Sequence, residues 1–335
     1  MSTQQMRQMV THVADGAKDF DDAGSVPLVK DPAREAEILS FCKEEASKLP
    51  EPWMPLACMR TRKYDADRSK VLMTEFRNLL VEMKTNYPDA KTVFRDVGGG
   101  TTSSSSSLGS SPPGASPITS SSTSTPVTSS SASASSSSTP KADSSAPKAD
   151  TWQAFRVLPC RDKWGRGVLN TRLRHHNPKL VPAESAIRAV TLLLYNLLQG
   201  APSEGDARAE EAEKTQLNGV CVLHDFRGIS LSNVDPAIGR ALFKLFTGRF
   251  PIRLAAIYIV EPPFFVRYVM LPIARMIMPT KLTSRIQPLS SVNDLKNFFE
   301  PDQLLEDFGG NVPDIDVEKL WSEQIRDFTD LKLDE

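Results

Sequence analysis

Between Thr101 and Pro140 the chain carries 20 Ser and 7 Thr in 40 positions, with no aromatic residue. Such a run buries too little apolar surface to offset the entropy of ordering it, so it supplies no core. It divides the 335 residues into segments that must fold through other contacts. The composition predicts a Ser/Thr-rich disordered insertion over residues 97–150, entered through Gly98-Gly99-Gly100. A phosphate-loop reading of these glycines fails: no strand pattern precedes them and no Lys-Ser/Thr follows at a helix start. Ser/Thr-Pro steps in the tract are candidate phosphorylation sites, and its length suits a tether for a protein partner.

The sequence on either side has a different texture. Residues 1–30 are polar and without sustained periodicity, which predicts a flexible arm. Asp31-Pro32 reads as an N-cap followed by Pro at the first helical position, ahead of the stripe Ile38, Leu39, Phe41 and Cys42. Asp65 or Asp67 caps a second helix, whose Val71, Leu72, Phe76, Leu79 and Leu80 recur at three- and four-residue steps. Residues 31–96 are therefore expected to form a small helical subdomain.

After the insertion, residues 151–312 alternate between strand and helix patterns. Strand candidates are 167–173, the apolar run 219–225 and the run 253–260; helices are expected over 183–198 and from Asp235-Pro236 to Phe246. This order implies βαβ units and a mostly parallel sheet. The charged stretch 200–216 reads as a solvated loop or helix end, and 313–335 as a tail, helical in part.

Residues 264–278 hold twelve apolar residues in fifteen, interrupted by Arg267, Pro272 and Arg275. A packed core helix with solvated arginines is one reading. The other is a helix at a lipid–water boundary, kinked at Pro272 and able to move as a lid. From Arg240 to Arg285 the chain carries eight basic residues and one acid, Glu261, in a protein of net charge −1. A basic patch beside an apolar helix favours an anionic membrane surface.

Other classes are harder to support. The near-neutral net charge and the lack of a legible stacking platform or groove-reading helix argue against nucleic acid. Cys42, Cys58, Cys160 and Cys221 are isolated and lack metal-ligand spacing to histidines, as expected of buried thiols in a reducing compartment. The N-terminal residues lack the apolar core of a signal peptide, and no uncharged apolar run reaches the ~18 residues of a spanning helix. The expectation is a cytoplasmic monomer in peripheral association with membranes. Enzyme motifs are weak: His224-Asp225 lacks further ligands, His175-His176 reads as a turn, and Gly228-Ile-Ser-Leu-Ser misses the last Gly of a nucleophile elbow. Cys160 has Pro159 where a cysteine phosphatase loop has His. No catalytic residue, metal or cofactor is expected.

Five segments together resemble the CRAL-TRIO lipid-transfer family. They are RTRKYDADRSK, RVLPCRDKWGRGVLNTRLRHHNP, GVCVLHDFRGISLSN, FPIRLAAIYIVEPPFFVRYVMLPIARMIMPTKLTSRI and LLEDFGG, in that order. The resemblance implies an N-terminal helical bundle and an α/β domain with an apolar cavity closed by a gating helix, here about Pro263 to Ile277. It implies no cofactor, with a hydrophobic or isoprenoid-type lipid carried as cargo and exchanged at membranes. Gate residues in contact with lipid would be Phe264, Phe265, Tyr268, Val269, Ile273, Met276 and Ile277. Cavity strands would contribute Val220, Val222, Ile257 and Ile259. In tocopherol-type members basic residues bind phosphoinositide phosphates, and the matching positions are Arg62, Arg253, Lys281 and Arg285. Ile252 and Glu261 depart from residues found in other members. The alternative is a lipid sensor or adaptor that does not transfer its lipid and acts on a protein partner.

Overall fold

The computed structural model describes residues 27–87, 89–99, 151–200, 206–277 and 280–333. The Ser-rich tract and the first 26 residues lie outside these, so most of the expected arm and insertion, with the phosphorylation sites and tethered partner, concerns residues not described; at their described edges Leu28 N donates to Leu217 O at 2.8 Å and Val97 is buried. The described residues belong to one compact unit.

The N-terminal helices are α1 (Pro32–Phe41), α2 (Lys43–Ser47), α3 (Trp53–Thr61), α4 (Ala66–Asn86) and α5 (Ala90–Asp96). Their starts are set locally. The Asp31 carboxylate accepts from Arg34 N at 3.0 Å, that of Asp65 from Arg68 N at 2.9 Å, and that of Asp89 from Thr92 N at 2.7 Å. Between α3 and α4 the chain reverses through Lys63 (φ 55°) and Tyr64 (φ 62°), a left-handed pair without glycine. The turn is held from outside: the Tyr64 hydroxyl donates to Glu35 Oε1 at 3.1 Å and Tyr64 N donates to Met59 O at 2.9 Å.

Five strands follow: β1 (Phe155–Arg161), β2 (Gly167–Arg172), β3 (Val220–Asp225), β4 (Leu254–Val260) and β5 (Ile286–Leu289). They lie in sequence order, β1 antiparallel to β2 and the other pairs parallel. The mostly parallel α/β sheet flanked by helices agrees with the expected fold class. The crossovers carry α6 (Ala183–Leu198) and α7 (Asp206–Asn218), then α8 (Pro236–Lys244), which runs into the π-turn Leu245–Arg249. α7 occupies most of the stretch expected as a loop or helix end. Its sequence is charged on all sides, and it is anchored by tertiary bonds: Arg161 Nε donates to Glu211 Oε2 at 2.6 Å, and Arg60 Nη1 to Gln216 Oε1 at 2.7 Å.

The strand period of two sorts the sheet into two cores. Leu169, Val222, Ile257 and Ile286 face the large core shared with α6 and the N-terminal helices. Val168, Cys221, Ala256 and Tyr258 face a smaller core, closed by Leu295, Phe299, Leu304, Leu305 and Phe308 of the turns after β5. The large core joins the two sequence segments directly. Phe76 meets Phe250 edge-on at 5.5 Å, and Trp53 lies 5.7 Å from Tyr195. The chain after Pro313 adds Trp321, stacked on Phe94 at 5.7 Å, and Phe328 at 4.8 Å from Tyr195.

Candidate functional site

The crossover from β4 to β5 carries the apolar segment singled out in the sequence. Because these strands are parallel, residues 261–285 must return from the C-terminal end of β4 to the N-terminal end of β5. The return begins as a π-turn, Val266–Met270, and continues as α9 (Leu271–Ile277) and α10 (Thr280–Thr283). Pro272 cannot donate within a helix. The change of winding falls beside it: Leu271 N bonds to Val266 O, one residue longer than an α-helical step. The expected irregularity is therefore a π-to-α junction.

This segment has a clear inside and outside. Val266 and Leu271 are buried in the large core, on the side of Val220, Val222, Ile257 and Ile259. Phe265 packs on the same core and is half-buried. Phe264 (75% exposed), Tyr268 (47%), Val269, Ile273 and Met276 (87%) stand outward. On this outward face the Phe264 and Tyr268 rings pair at 4.7 Å. The side chain of Ile277 lies outside the described residues. The four strand residues share the large core with Val266 and Leu271. Most of the expected gate contacts lie on the outer face instead, a distinction that a nearly all-apolar run does not reveal.

Two of the four expected phosphate-binding residues, Arg253 and Arg285, come together at the N-terminal ends of β4 and β5. Arg253 immediately precedes β4 and is buried; its Nη2 donates to Leu217 O, and its Nε has no hydrogen-bond partner among the described residues. Burial, with Arg166 and Arg285 nearby, lowers its pKa to about 10. Arg285 immediately precedes β5, and its Nη1 donates to Leu254 O. Arg62 is half-buried and reaches Thr247 O at 3.3 Å, with burial and Arg68 lowering its pKa. Arg253 also lines a groove of about 590 Å³ with Lys30, Lys63, Tyr64 and the chain at Pro27–Pro32. The backbone of Lys281 lies in α10, four residues before Arg285, but its side chain lies outside the described residues.

The N-terminal signature does more than supply charge. Arg60 is buried; its Nε donates to Glu35 Oε1 at 2.8 Å and its Nη2 to Glu213 Oε1 at 3.0 Å, tying α3 to α1 and α7. Asp65 caps α4, and Tyr64 anchors the left-handed turn. Sequence spacing gave no sign of Arg60's role, because its partners lie 25 and more residues away.

The residues weighed as catalytic lead elsewhere. His224 and Asp225 point to opposite faces of β3 and cannot hold one ion. Asp225 accepts from Arg174 Nη1 at 2.7 Å and Arg227 Nε at 2.8 Å. Burial alone would raise its pKa, but the hydrogen bonds from Arg227 and Arg174 more than offset this and hold it below the usual carboxylate range. Cys160 lies within β1, where burial pushes its thiol up to about 11, away from nucleophilic chemistry. All four cysteines are buried free thiols. Among the described residues no group of three or more His, Cys, Asp and Glu could hold a metal, and no helix is long and apolar enough to cross a membrane.

Residues 152–310 match the CRAL/TRIO domain. The match takes in a little under half of the 335 residues, and it is this part of the chain that is similar to a CRAL/TRIO domain. It is 30% identical over 165 residues to the alpha-tocopherol transfer protein-like protein of Mus musculus, covering 48% of this chain and 44% of that one. It is 29% identical over 158 residues to tyrosine-protein phosphatase non-receptor type 9 of Mus musculus, covering 47% and 24%. Clavesin-1 of Xenopus laevis matches at 25% over 182 residues, covering 53% and 51%. The chain thus spans less than half the length of the first of these relatives. The helices of residues 31–96 lie outside the domain match.

Proposed function

We propose that the chain holds one hydrophobic lipid between the β2–β5 sheet face and the 263–277 crossover, and exchanges it at an anionic, phosphoinositide-bearing membrane surface on the cytoplasmic side. The observation that carries this reading is the outward apolar row Phe264, Tyr268, Val269, Ile273 and Met276 on the segment that also covers the sheet. Such a face gains free energy by entering the acyl boundary of a bilayer, at about 25 cal/mol per Å² of apolar area removed from water. Among its described residues, Val266 and Leu271 enter the core with Phe265 packed against it, and the segment passes through a π-turn. Affinity of the outer face for the bilayer favours an open state when docked. Reclosure then carries a lipid away.

The cations Arg253 and Arg285 support the headgroup half of the proposal. A buried guanidinium with an unbonded Nε and a lowered pKa gains most from an incoming anion. Lys281 and Arg62 complete the proposed phosphate set. The test is transfer of a fluorescent hydrophobic lipid from donor to acceptor vesicles, with and without phosphatidylinositol bisphosphate in the acceptors. Transfer faster with the phosphoinositide, and slowed by Lys281→Glu with Arg285→Glu, supports the reading. Binding without transfer points to a sensor or adaptor, and neither binding nor transfer overturns both.

A further inference from the structure

On the sheet face beneath the crossover, the row Leu169, Val222, Ile257 and Ile286 is apolar throughout. The next row toward the C-terminal ends of the strands is Thr171, His224, Ile259 and Pro288. Two polar side chains thus stand side by side on an apolar wall, with Thr171 Oγ1 and His224 Nδ1 only 2.6 Å apart. The Phe226 ring flanks the imidazole at 5.9 Å, edge-on. Leu173, Phe226, Leu242, Phe246 and Phe265 pack against the same core and are themselves incompletely covered.

His224 is enclosed by protein deeply enough to drive its pKa down to about 4. Its side chain is nevertheless only half-buried by its neighbours. Part of the imidazole therefore stays uncovered by neighbouring side chains. Its second nitrogen, Nε2, makes no hydrogen bond to any of the described residues.

We propose that Thr171 and His224 form the polar recognition point of the lipid chamber and select an uncharged lipid that carries a hydroxyl group. The inference rests on the carrier reading above and names the chemistry of its cargo. A neutral imidazole has one donor nitrogen and one acceptor nitrogen. With Nδ1 committed to Thr171, Nε2 offers whichever role the tautomer leaves. A hydroxyl both donates and accepts, so it satisfies either tautomer; an oxygen-free hydrocarbon leaves Nε2 buried and unpaired. A phosphate or carboxylate would call for a cation at this point. The guanidinium groups nearest along the strands, Arg172, Arg174 and Arg227, already hold Asp225, Asp307 and Asp314. A mostly apolar wall with one placed polar group is the pattern that orients an amphipathic small molecule.

Competition for a bound fluorophore tests this on the full chain. Diphenylhexatriene is loaded first, then displaced by farnesol or by farnesene, which shares the isoprenoid skeleton but lacks oxygen. Farnesol is expected to compete about three- to tenfold better, the worth of one net hydrogen bond. His224→Leu abolishes that preference while farnesene affinity persists, and Thr171→Val reduces it. The ¹⁵N shift of His224 Nε2 moves with farnesol and not with farnesene. Equal competition by the two probes in the natural protein, or a preference kept in His224→Leu, overturns the assignment while leaving a lipid chamber in place. If diphenylhexatriene does not bind, the carrier reading itself fails and this inference falls with it. Should His224→Leu not fold, the two-probe comparison and Thr171→Val still decide.

Discussion

Phe264 and Met276 stand 75% and 87% exposed at the two ends of the outward apolar row. A Phe side chain can bury on the order of 200 Å². Three-quarters of that area, at about 25 cal/mol per Å², makes Phe264 worth up to ~3.5 kcal/mol on full insertion, and trimming it to Ala removes about two-thirds of this. Met276 contributes about 2 kcal/mol on the same basis. Insertion to half depth leaves a loss of about 2 kcal/mol for Phe264→Ala with Met276→Ala, or roughly 30-fold weaker vesicle partitioning. Neither side chain belongs to the core, so the urea midpoint should stay near that of the natural protein, as for other surface changes. Sedimentation with anionic vesicles measures the partition. Leu231→Ala provides the control, since Leu231 is 70% exposed but lies outside the segment. Partitioning within threefold of the natural protein, or an equal loss in the Leu231 control, would refute the insertion argument.

Three further outcomes concern the frame. Arg60→Ala strands Glu35 in the interior and should cost about 3–5 kcal/mol in urea unfolding, as expected for one broken buried pair; a loss under ~1 kcal/mol contradicts the assigned tie. Gly310→Ala places a Cβ 2.0 Å from Leu304 O, whereas at Gly309 (φ 78°) the added Cβ meets only the Lys296 side chain at 4.0 Å. The Gly310 variant should therefore have the lower thermal midpoint of the two. For His224 the folded pKa of about 4 lies below the ordinary 6.5. As pH falls through that interval the unfolded chain takes up a proton that the folded chain refuses. Stability is accordingly full above 6.5 and declines toward 4, by up to about 3 kcal/mol. Burial of His176 lowers its pKa and acts with the same sign. His224→Leu should flatten the drop in urea midpoint between pH 7.5 and 5 by comparison with the natural protein; an unchanged drop means His224 is not held neutral.

Features set by neighbours in sequence were legible from the chain. Asp31 and Asp65 cap helices because a carboxylate reaches amides only two or three residues ahead. β3 and β4 announce themselves as short apolar runs, since a parallel strand covered on both faces needs no polar side. Features set by distant contacts were not. α7 has no apolar stripe and owes its place to Arg60 and Arg161. β1 contains Pro159, which suits only an edge strand, and its register shifts between Leu158 and Arg161. Lys63 and Tyr64 adopt left-handed backbone without glycine, because Tyr64 is tied to Glu35. In the candidate site, the apolar run and the positions of the basic residues were readable. Pro272 signalled an irregularity, but which face of that run turns outward depends on the π-to-α change at Leu271 and was not readable. The burial of Arg253 follows from the tertiary position of Leu217 and was equally hidden.

Native mass spectrometry of the full chain purified from cells tests the carrier most directly. The protein should fly with one lipid mass added per chain, and brief incubation with anionic vesicles should remove or exchange that mass, more slowly for Phe264→Ala with Met276→Ala. A chain that carries no lipid, or a bound lipid indifferent to vesicles, contradicts gated exchange at a membrane.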